Sequence, residues 1–378
     1  MRKPLRTILA CLAAVLALAL STPASVNAAS HEGSATTAPS HLPVYAYFYQ
    51  WFDHASWRRA KIDYPLAGRY SSSDRNVLVH QVETARSAGL DGFLTSWKST
   101  PSLDSRLQLL LDVAHEQNFD VGVVYEGLNF ERHPLPLSQV RSDMLTLVDR
   151  WGSQLTSKYF GRPLIIWTGT DQWSVSAIRS VREALGQRAY LLASAKSAED
   201  YDRVAGVVDG DAYYWSSANP GTSYTRERLA ALSAAVHRDH GIWLAPATAG
   251  FDGRPLQHHR VVPRDGGQTL VHSLQDAFAS RPSAVGVISW NEWSENTYIE
   301  PGEKYGTQEL DALRSYLRPG ATGAKADSLL VNVDPTPSLG DQGWTGVRAG
   351  TVLALGTGLC VLLLFRRAKR VTPTHRRG

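Results

Sequence analysis

Two glutamates, Glu292 and Glu295, stand three residues apart in a tryptophan-rich stretch and could carry acid–base chemistry. On a helical turn, this spacing places both carboxylates on one face. Cleavage of a glycosidic bond uses such a pair, because one carboxyl protonates the leaving oxygen while the other assists at the anomeric carbon. We therefore take them as candidate catalytic residues. The alternative is that each is a solvated surface charge or a partner of a helix N-terminus.

Short apolar runs, rich in β-branched and aromatic residues, recur along the chain, and one of them leads directly into the glutamate pair. Such runs are too short for helices and predict buried strands. The eight candidate strands are Val44–Tyr49, Gly92–Ser96, Val121–Tyr125, Leu164–Trp167, Ala189–Ala193, Ala212–Trp215, Ile242–Ala245 and Val285–Trp290.

Helical patterns separate these strands, with apolar residues recurring every three or four positions. The helical stretches lie within 77–85, 103–114, 145–155, 174–185, 198–204, 225–240, 268–279 and 308–317. Eight strand–helix units between residues 42 and 320 predict an α/β protein whose parallel sheet closes into a (β/α)8 TIM barrel. A doubly wound open sheet is the alternative, but no G-x-G-x-x-G motif follows the first strand.

Barrel enzymes carry their active residues just beyond the carboxyl ends of the strands. At nearly every such position this sequence has an aromatic ring, an amide or a charged group. Rings stack on the C–H faces of sugars while polar groups bind the hydroxyls, so the pattern predicts a carbohydrate substrate. The candidate substrate-binding residues are Tyr47, Tyr49, Trp51, Trp97, Glu126, Tyr214, Trp215, Asp252, Arg254, Asn291 and Trp293.

The two ends of the chain predict export and a membrane anchor. Basic residues, an apolar run and small residues near Ala28 are typical of a secretory signal peptide over residues 1–29. An apolar segment over 347–365, followed by a basic tail over 366–378, predicts a single transmembrane helix with a cytoplasmic tail. A polar lead-in (30–41) and a Gly/Pro/Asp-rich linker (321–346) flank the barrel. We expect a single-pass protein of the cell membrane with its catalytic domain outside.

The formal net charge of +4 lies at the ends of the chain. Three positive charges precede residue 30 and six follow Phe365, so the body between them is mildly acidic. This distribution argues against a nucleic-acid partner. Cys11 and Cys360 fall in the predicted signal peptide and anchor, so the barrel is predicted to have no disulfide. The histidines, including the adjacent His258 and His259, give no convincing metal-ligand set, and we expect neither metal nor organic cofactor. The oligomeric state stays open.

A longer stretch around the two glutamates resembles a known family. Ser289–Pro301, reading S-W-N-E-W-S-E-N-T-Y-I-E-P, is similar to the E-W-x-E-G-T-x-I-E-P signature of the glycoside hydrolase family 99-like group. Tyr45–Phe52, Leu90–Trp97 and Ala245–Arg254 resemble that group's aromatic start, its I-D-G-F-x-x-S-W strand and its T-P-G-F-D-N-R loop. The group contains endo-α-mannosidases and relatives in polysaccharide biosynthesis, and the likeness covers about residues 43 to 318.

The resemblance implies separate roles for three glutamates. Glu295 matches the general acid/base of the group. Glu292 matches the carboxylate thought to take a proton from the sugar 2-hydroxyl, which gives a retaining reaction through a 1,2-anhydro sugar. Glu126 matches a substrate-binding glutamate at the end of the third strand. The expected function is therefore a membrane-anchored extracellular glycoside hydrolase acting on an α-linked polysaccharide or glycan.

Three positions depart from the group's pattern. Ser294 stands where histidine is usual, Asn296 where glycine is usual, and Gly253 where asparagine is usual in the seventh-strand loop. Both glutamates are kept, so the departures concern the substrate more than the reaction. Two alternatives follow, a non-catalytic surface glycan-binding module and a polysaccharide-biosynthesis enzyme on the same barrel.

Overall fold

The computed structural model describes residues 41–59, 61–129 and 131–319, which form a closed barrel of eight parallel strands. The barrel strands are β1 (Val44–Phe48), β2 (Gly92–Trp97), β3 (Asp120–Tyr125), β4 (Leu164–Trp167), β5 (Tyr190–Ala193), β6 (Gly210–Ala212), β7 (Ile242–Thr248) and, after the short strands β8 (Phe251–Asp252) and β9 (Val261–Val262), β10 (Ala284–Ile288). Pairing of β10 with both β7 and β1 closes the barrel. The predicted TIM barrel is confirmed, and an open doubly wound sheet is excluded.

A helix follows every barrel strand before the next one begins. These helices are α1 (Arg75–Ser87), α2 (Pro101–Glu116), α3 (Leu137–Trp151), α4 (Val175–Leu185), α5 (Ala198–Asp202), α6 (Ser223–Arg238), α7 (Gln268–Ala279) and α8 (Gln308–Leu317). Five of them, α1, α2, α4, α5 and α6, begin with a side-chain cap. Asp74 accepts a hydrogen bond from the Asn76 N–H, and Thr100 accepts one from the Leu103 N–H just before Pro101. The strands β8 and β9 form a small antiparallel ribbon between β7 and α7.

Side chains alternate across the barrel wall, as they must on any strand. On β1, Tyr45 and Tyr47 belong to the cluster inside the barrel, while Ala46 and Phe48 pack outward under the helices. Two strand glycines provide the room that the large rings need. A Cβ atom at Gly92 would lie 2.7 Å from Tyr45 Cε1, and one at Gly286 would lie 2.8 Å from Tyr47 Cε2. The interior is therefore packed with side chains up to the level of the site.

The predicted sixth strand, 212–215, is wrong, because β6 ends at Ala212. Asp209-Gly210-Asp211 reads locally as a turn, yet Gly210 brings β6 close to β7. A Cβ atom there would lie 2.0 Å from the Ile242 carbonyl oxygen. The buried Asp211 carboxylate accepts a hydrogen bond of 2.7 Å from the Ala195 N–H. The other seven predicted strands overlap the observed ones.

The predictions for the two ends concern residues that the structure does not describe. The signal peptide (1–29), the lead-in up to residue 40, the linker (321–346), the transmembrane segment (347–365) and the basic tail (366–378) all lie outside the described residues. Among the residues that are described, none of the helices is both long and apolar enough to cross a membrane.

Candidate active site

Both candidate catalytic glutamates lie on the loop that follows β10 at the carboxyl end of the barrel. This loop, from Ser289 to Pro301, is called the glutamate loop below. It folds back on itself, because the Ser289 N–H donates to the Thr297 carbonyl oxygen at 2.9 Å. The Glu292 N–H donates to Ser289 Oγ at 2.7 Å. These bonds hold Glu292 and Glu295 on one compact turn.

The Glu292 side chain is almost completely buried, with 1% of its surface exposed. Its Oε1 accepts a hydrogen bond of 2.9 Å from the Ser294 N–H, and its Oε2 has no hydrogen-bond partner among the described residues. Burial raises the pKa of Glu292, while the Ser294 N–H and the charge of Lys61 oppose the rise. A carboxylate of raised pKa with a free oxygen is suited to accept a proton.

Glu295 lies on the same turn, and its side chain is also buried. It is 3% exposed, and its carbonyl oxygen accepts a hydrogen bond of 2.8 Å from the Asp252 N–H. The pKa of Tyr214 is raised well above its usual value, first by burial and then by Tyr49, Glu295 and Glu292. Both glutamates therefore act electrostatically on one phenol, which stays protonated and able to donate.

Tyrosines from β1 and from the segment after β6 form an aromatic wall beside the glutamates. Tyr49 Oη donates to Tyr214 Oη at 2.9 Å. The Tyr47 ring packs edge-on against Tyr214 with 4.9 Å between centroids, and half-buried Trp51 lies 4.4 Å from the Tyr49 ring. The structure thus brings together four of the predicted substrate-binding residues.

Glu126 follows β3 and is held by its neighbours on both sides. Its Oε1 accepts from Ser96 Oγ at 2.8 Å, and its Oε2 accepts from Thr168 Oγ1 at 3.3 Å. Burial raises the pKa of Glu126, while these hydrogen bonds and the charges of Lys98 and Arg132 oppose the rise. Thr168, which donates to Glu126, also lines a pocket together with Tyr47 and Tyr214 of the aromatic wall. The lining of this pocket is Tyr47, Val124, Arg132, Ile166, Thr168, Gly169, Ser194, Ala212 and Tyr214.

The ribbon after β7 supplies the rim of the site. Arg254 donates to both carboxylate oxygens of Asp252, through Nε at 2.9 Å and Nη2 at 2.5 Å. The Asp252 side chain is only partly buried and the Arg254 side chain is exposed. The Asp252 N–H donates a hydrogen bond to the Glu295 carbonyl oxygen, so the Asp252–Arg254 pair lies beside the glutamate loop.

Trp97 and Trp215 do not face the cleft, and the prediction that they bind substrate is corrected. Trp97 packs outward against Trp151 with 6.1 Å between centroids, and its indole N–H donates to Asp104. Trp215 stacks on Tyr213 at 5.4 Å, on the side of α6. For Trp97 the cause is strand alternation, since it directly follows Ser96, which points inward on β2. Trp215 lies beyond the end of β6, where it packs with Tyr213 while Tyr214 packs against Tyr47.

Asn291 and Trp293 belong to the framework that holds the glutamate loop. Asn291 Oδ1 accepts from the Tyr49 N–H at 2.8 Å, and its Nδ2 donates to the Tyr49 carbonyl oxygen at 2.9 Å and to Tyr70 Oη at 3.2 Å. The fully buried Trp293 ring stacks on Tyr298 with 3.8 Å between centroids. These contacts occupy the groups that were expected to bind sugar, so both residues are corrected to supporting positions.

Two basic residues at the site were missed by the sequence reasoning. Lys61 lies between β1 and α1, close enough to Glu292 for its charge to act on that carboxylate. Arg132 lines the pocket beside Glu126. Neither stands near a strand end or in a motif, so no local signal in the sequence identifies them. The site thus has buried carboxylates, phenol donors and cationic groups near the carboxyl ends of the barrel strands, a set suited to acid–base chemistry on a hydroxylated ligand.

Comparison with known proteins gives this geometry a family. The model of glycosyl hydrolase family 99 matches residues 59–316. A mouse glycoprotein endo-alpha-1,2-mannosidase-like protein is 21% identical over 276 residues, covering 63% of this chain and 57% of that protein. The glycoprotein endo-alpha-1,2-mannosidase of Xenopus laevis is 22% identical over 265 residues, covering 63% and 58%. The chain therefore spans less than two thirds of the length of these relatives.

A solved structure shows the same fold. The family 99 endo-alpha-mannosidase from Bacteroides thetaiotaomicron superposes with a TM-score of 0.64 at 16% identity, over 73% of this chain and 96% of that one. The region matched by the family model is more than half of the chain and includes the barrel strands β2 to β10 and both glutamates. On this match, the chain belongs to glycosyl hydrolase family 99.

Proposed function

We propose that this protein is a retaining glycoside hydrolase that cleaves an α-linked polysaccharide or glycan, with an endo-α-mannosidase-like specificity. The observation that carries the proposal is the pair of buried glutamates on one turn, beside the tyrosine wall, within the region matched by the family model. Glu295 is the general acid/base and Glu292 its partner. Glu126, with its two hydroxyl donors, binds the sugar away from the bond that breaks.

The proposed first step begins at the free Oε2 of Glu292. This oxygen takes the proton of the sugar 2-hydroxyl, and the sugar O2 attacks C1 to form a 1,2-anhydro sugar. The bond between C1 and the leaving oxygen breaks as Glu295 protonates that oxygen. The raised pKa of Glu292 supports this role, because a more basic carboxylate accepts the hydroxyl proton more readily.

The second step returns both groups to their starting states. Glu295 takes a proton from water, the water oxygen attacks C1, and the bond between C1 and O2 breaks. O2 then recovers its proton from Glu292. Two inversions at C1 give retention of the anomeric configuration. The Tyr214 phenol, close to both carboxylates and held as a donor, stabilises the charges that develop between them.

Substitution of either glutamate tests the assignment. Glu292→Gln and Glu295→Gln keep the side-chain shape but remove the ionisable group, so each is expected to lower kcat by about 1,000-fold or more while substrate binding persists. The exposed Glu303→Gln is the matched control and should keep wild-type turnover. The measurement is the sugar released from a panel of α-mannans and α-glucans, with product configuration read by NMR.

Four results would reject the proposal. Wild-type turnover in either glutamine variant would remove that glutamate from the reaction. An inverted product would exclude the retaining route. Glycan binding by the wild type with no released sugar would favour a binding module, and transfer only from an activated sugar donor would favour a biosynthetic role.

We also propose that the barrel is exported and held at the cell membrane by the segment 347–365. The support is the sequence pattern of the two ends, with an apolar run followed directly by basic residues. The expected result is that the full chain fractionates with membranes and is cut by protease added outside cells. A chain ending at residue 345 should be released, and retention of that shorter chain on membranes would contradict the proposal.

A further inference from the structure

Glu300, near the end of the glutamate loop, is a buried carboxylate on which three donors converge. Gln81 Nε2, from α1, donates to Oε1 at 2.6 Å. Tyr70 Oη, from the segment before α1, donates to Oε2 at 2.8 Å, and Trp293 Nε1 donates to the same oxygen at 3.2 Å. Glu300 is 4% exposed. One carboxylate therefore joins α1, the segment that precedes it and the glutamate loop.

The donors of Glu300 lead to the residues on either side of Glu292. Trp293, which follows Glu292, is bonded to Glu300 directly. Asn291, which precedes it, is bonded through Tyr70, whose hydroxyl oxygen accepts from Asn291 Nδ2 at 3.2 Å. Asn291 also carries the hydrogen bonds that hold the Tyr49 backbone. The backbone of Glu292 is thus fixed at both neighbours by one network.

We propose that Glu300 is a positioning residue, whose carboxylate holds the two neighbours of Glu292 and thereby sets the orientation of the Glu292 side chain. The proposal rests on the proposed function, in which Glu292 takes a proton from the substrate. Glu300 itself touches no substrate. Its carboxylate holds Trp293 by a direct hydrogen bond and holds Asn291 indirectly, through the Tyr70 hydroxyl.

The network is matched to the ionised form of Glu300, since all three neighbours donate to it. Protonation of Glu300 would add a hydrogen atom to the three that already point at its carboxylate. The hydrogen bond from Tyr70 must then reverse its direction or break. The groups that face the carboxylate from α1, from the preceding segment and from the loop are Gln81, Tyr70 and the indoles of Trp293 and Trp290. Of these only Tyr70 titrates, and burial raises its pKa so far that it stays neutral.

The pKa of Glu300 places this protonation near neutral pH. Burial raises the pKa of Glu300 to about 7, against the opposing hydrogen bonds of Gln81, Tyr70 and Trp293. We therefore expect the network to loosen as the pH falls through that value, and the orientation of Glu292 to loosen with it.

The test compares Glu300→Gln with the control Glu303→Gln, an exposed glutamate of similar position in the chain. The glutamine is neutral and brings its own N–H groups against three donors. It should lower kcat by about 10- to 100-fold with little change in KM, because positioning is lost while the sugar contacts remain. The component of the acid limb of kcat that titrates near pH 7 should be present in the wild type and in Glu303→Gln. It should be absent from Glu300→Gln, which keeps only the limb that Glu292 sets. A wild-type kcat in Glu300→Gln, or an unchanged acid limb, would overturn the proposal.

Tyr70→Phe separates positioning from general loss of stability. It cuts the connection to Asn291, so it should lower kcat by a similar factor, and the double variant with Glu300→Gln should lose little more than either single one. Independent, multiplicative losses would contradict a shared network.

Crystal structures decide the case without any substrate. Glu292 should be displaced in Glu300→Gln and unmoved in Glu303→Gln, and an unmoved Glu292 in both would reject the positioning role. A wild type that cleaves no glycan would reject the proposed function instead. The comparison of the Glu292 position in the two variants would still test the positioning role.

Discussion

Asn296, directly after Glu295, shows how one departure from the family-like pattern fits the site. Its φ of 55° lies in the left-handed region, which glycine adopts freely and asparagine tolerates better than other side chains. The resembled pattern has glycine here, so asparagine preserves the turn that carries both glutamates. Both polar atoms of the Asn296 side chain are buried without a hydrogen-bond partner among the described residues. Asparagine in place of glycine therefore adds buried polar atoms next to Glu295 and keeps the left-handed backbone conformation of the turn.

Ser294 and Gly253, the other two departures, act differently. The Ser294 backbone N–H, which any residue except proline would supply, donates to Glu292 Oε1. The Ser294 side chain adds a hydrogen bond to the same carboxylate. Gly253 lies against His258 in the rim ribbon, where a Cβ atom would approach His258 Cβ to 2.8 Å. The departures thus spare the carboxylates and change the surroundings in which a sugar would lie.

At the scale of elements, alternation along β2 determines which of its side chains point into the barrel and which point toward the helices. Ser96 points inward and donates to Glu126, whereas the next residue, Trp97, points outward to Trp151 and Asp104. The sequence reasoning selected Trp97 by residue type, because aromatic rings are typical of sugar sites. Position on the strand outweighs residue type, since successive side chains lie on opposite faces.

Two substitutions on β2 test this division. Trp97→Phe should lower the free energy of unfolding by about 1–3 kcal/mol, because it removes buried surface and the bond to Asp104, while kcat/KM stays close to wild type. Ser96→Ala should raise KM several-fold with a smaller effect on stability, because Glu126 loses one of its two hydroxyl donors. Urea denaturation and steady-state kinetics give both quantities.

The opposite pattern would show that Trp97 does contact the substrate. A large rise in KM for Trp97→Phe, at unchanged stability, would contradict the outward orientation of its ring. KM and stability are measured for each variant separately, because Ser96 and Trp97 are neighbours in sequence but lie on opposite faces of the barrel wall.

For the whole molecule, burial of carboxyl groups connects activity to stability. Glu126, Asp211, Glu292, Glu300 and Glu309 are all buried, and burial raises the pKa of each. Glu309 is partly compensated by Arg264, whose Nη1 lies 3.2 Å from its Oε1 and connects α8 to the segment before α7. A buried carboxyl group costs stability when it ionises, so each of these side chains makes the stability of the barrel depend on pH.

The pH dependence of stability follows from the sign of these shifts. Where the folded pKa is raised, the native state keeps its proton to a higher pH than the unfolded chain, so the free energy of unfolding falls as the pH rises between the two values. For Glu300 the fall extends from about 4.5 to about 7 and amounts to about 3 kcal/mol. Above pH 7 this contribution is constant.

Chemical denaturation of wild type, Glu300→Gln and Glu303→Gln across pH 4.5 to 8 measures this contribution. The free energy of unfolding of the wild type should fall by about 3 kcal/mol relative to that of Glu300→Gln as the pH rises over that interval, because the variant has no proton to lose at this position. Glu303→Gln should show no such trend. A difference between Glu300→Gln and wild type that is independent of pH would contradict the raised pKa.

Local patterns in the sequence were enough to predict the barrel and to select the candidate pair of glutamates. Short apolar runs alternating with helical periodicity specify strand–helix units, and these properties depend only on neighbouring residues. The motif around Glu292 and Glu295 was equally local. The sixth strand was misplaced because Gly210 and Asp211 resemble a turn until the contacts with β7 and with the segment after β5 are known.

Tertiary structure alone decided which side chains surround the glutamates. Gln81 and Tyr70 meet Glu300 across more than 200 residues of chain, and Lys61 reaches Glu292 over a similar separation. These contacts exist because β10 pairs with β1 and brings the two ends of the barrel sequence together. Chain periodicity determines which elements form, but only closure of the barrel determines which of their residues become neighbours, and so which carboxylates are positioned to react.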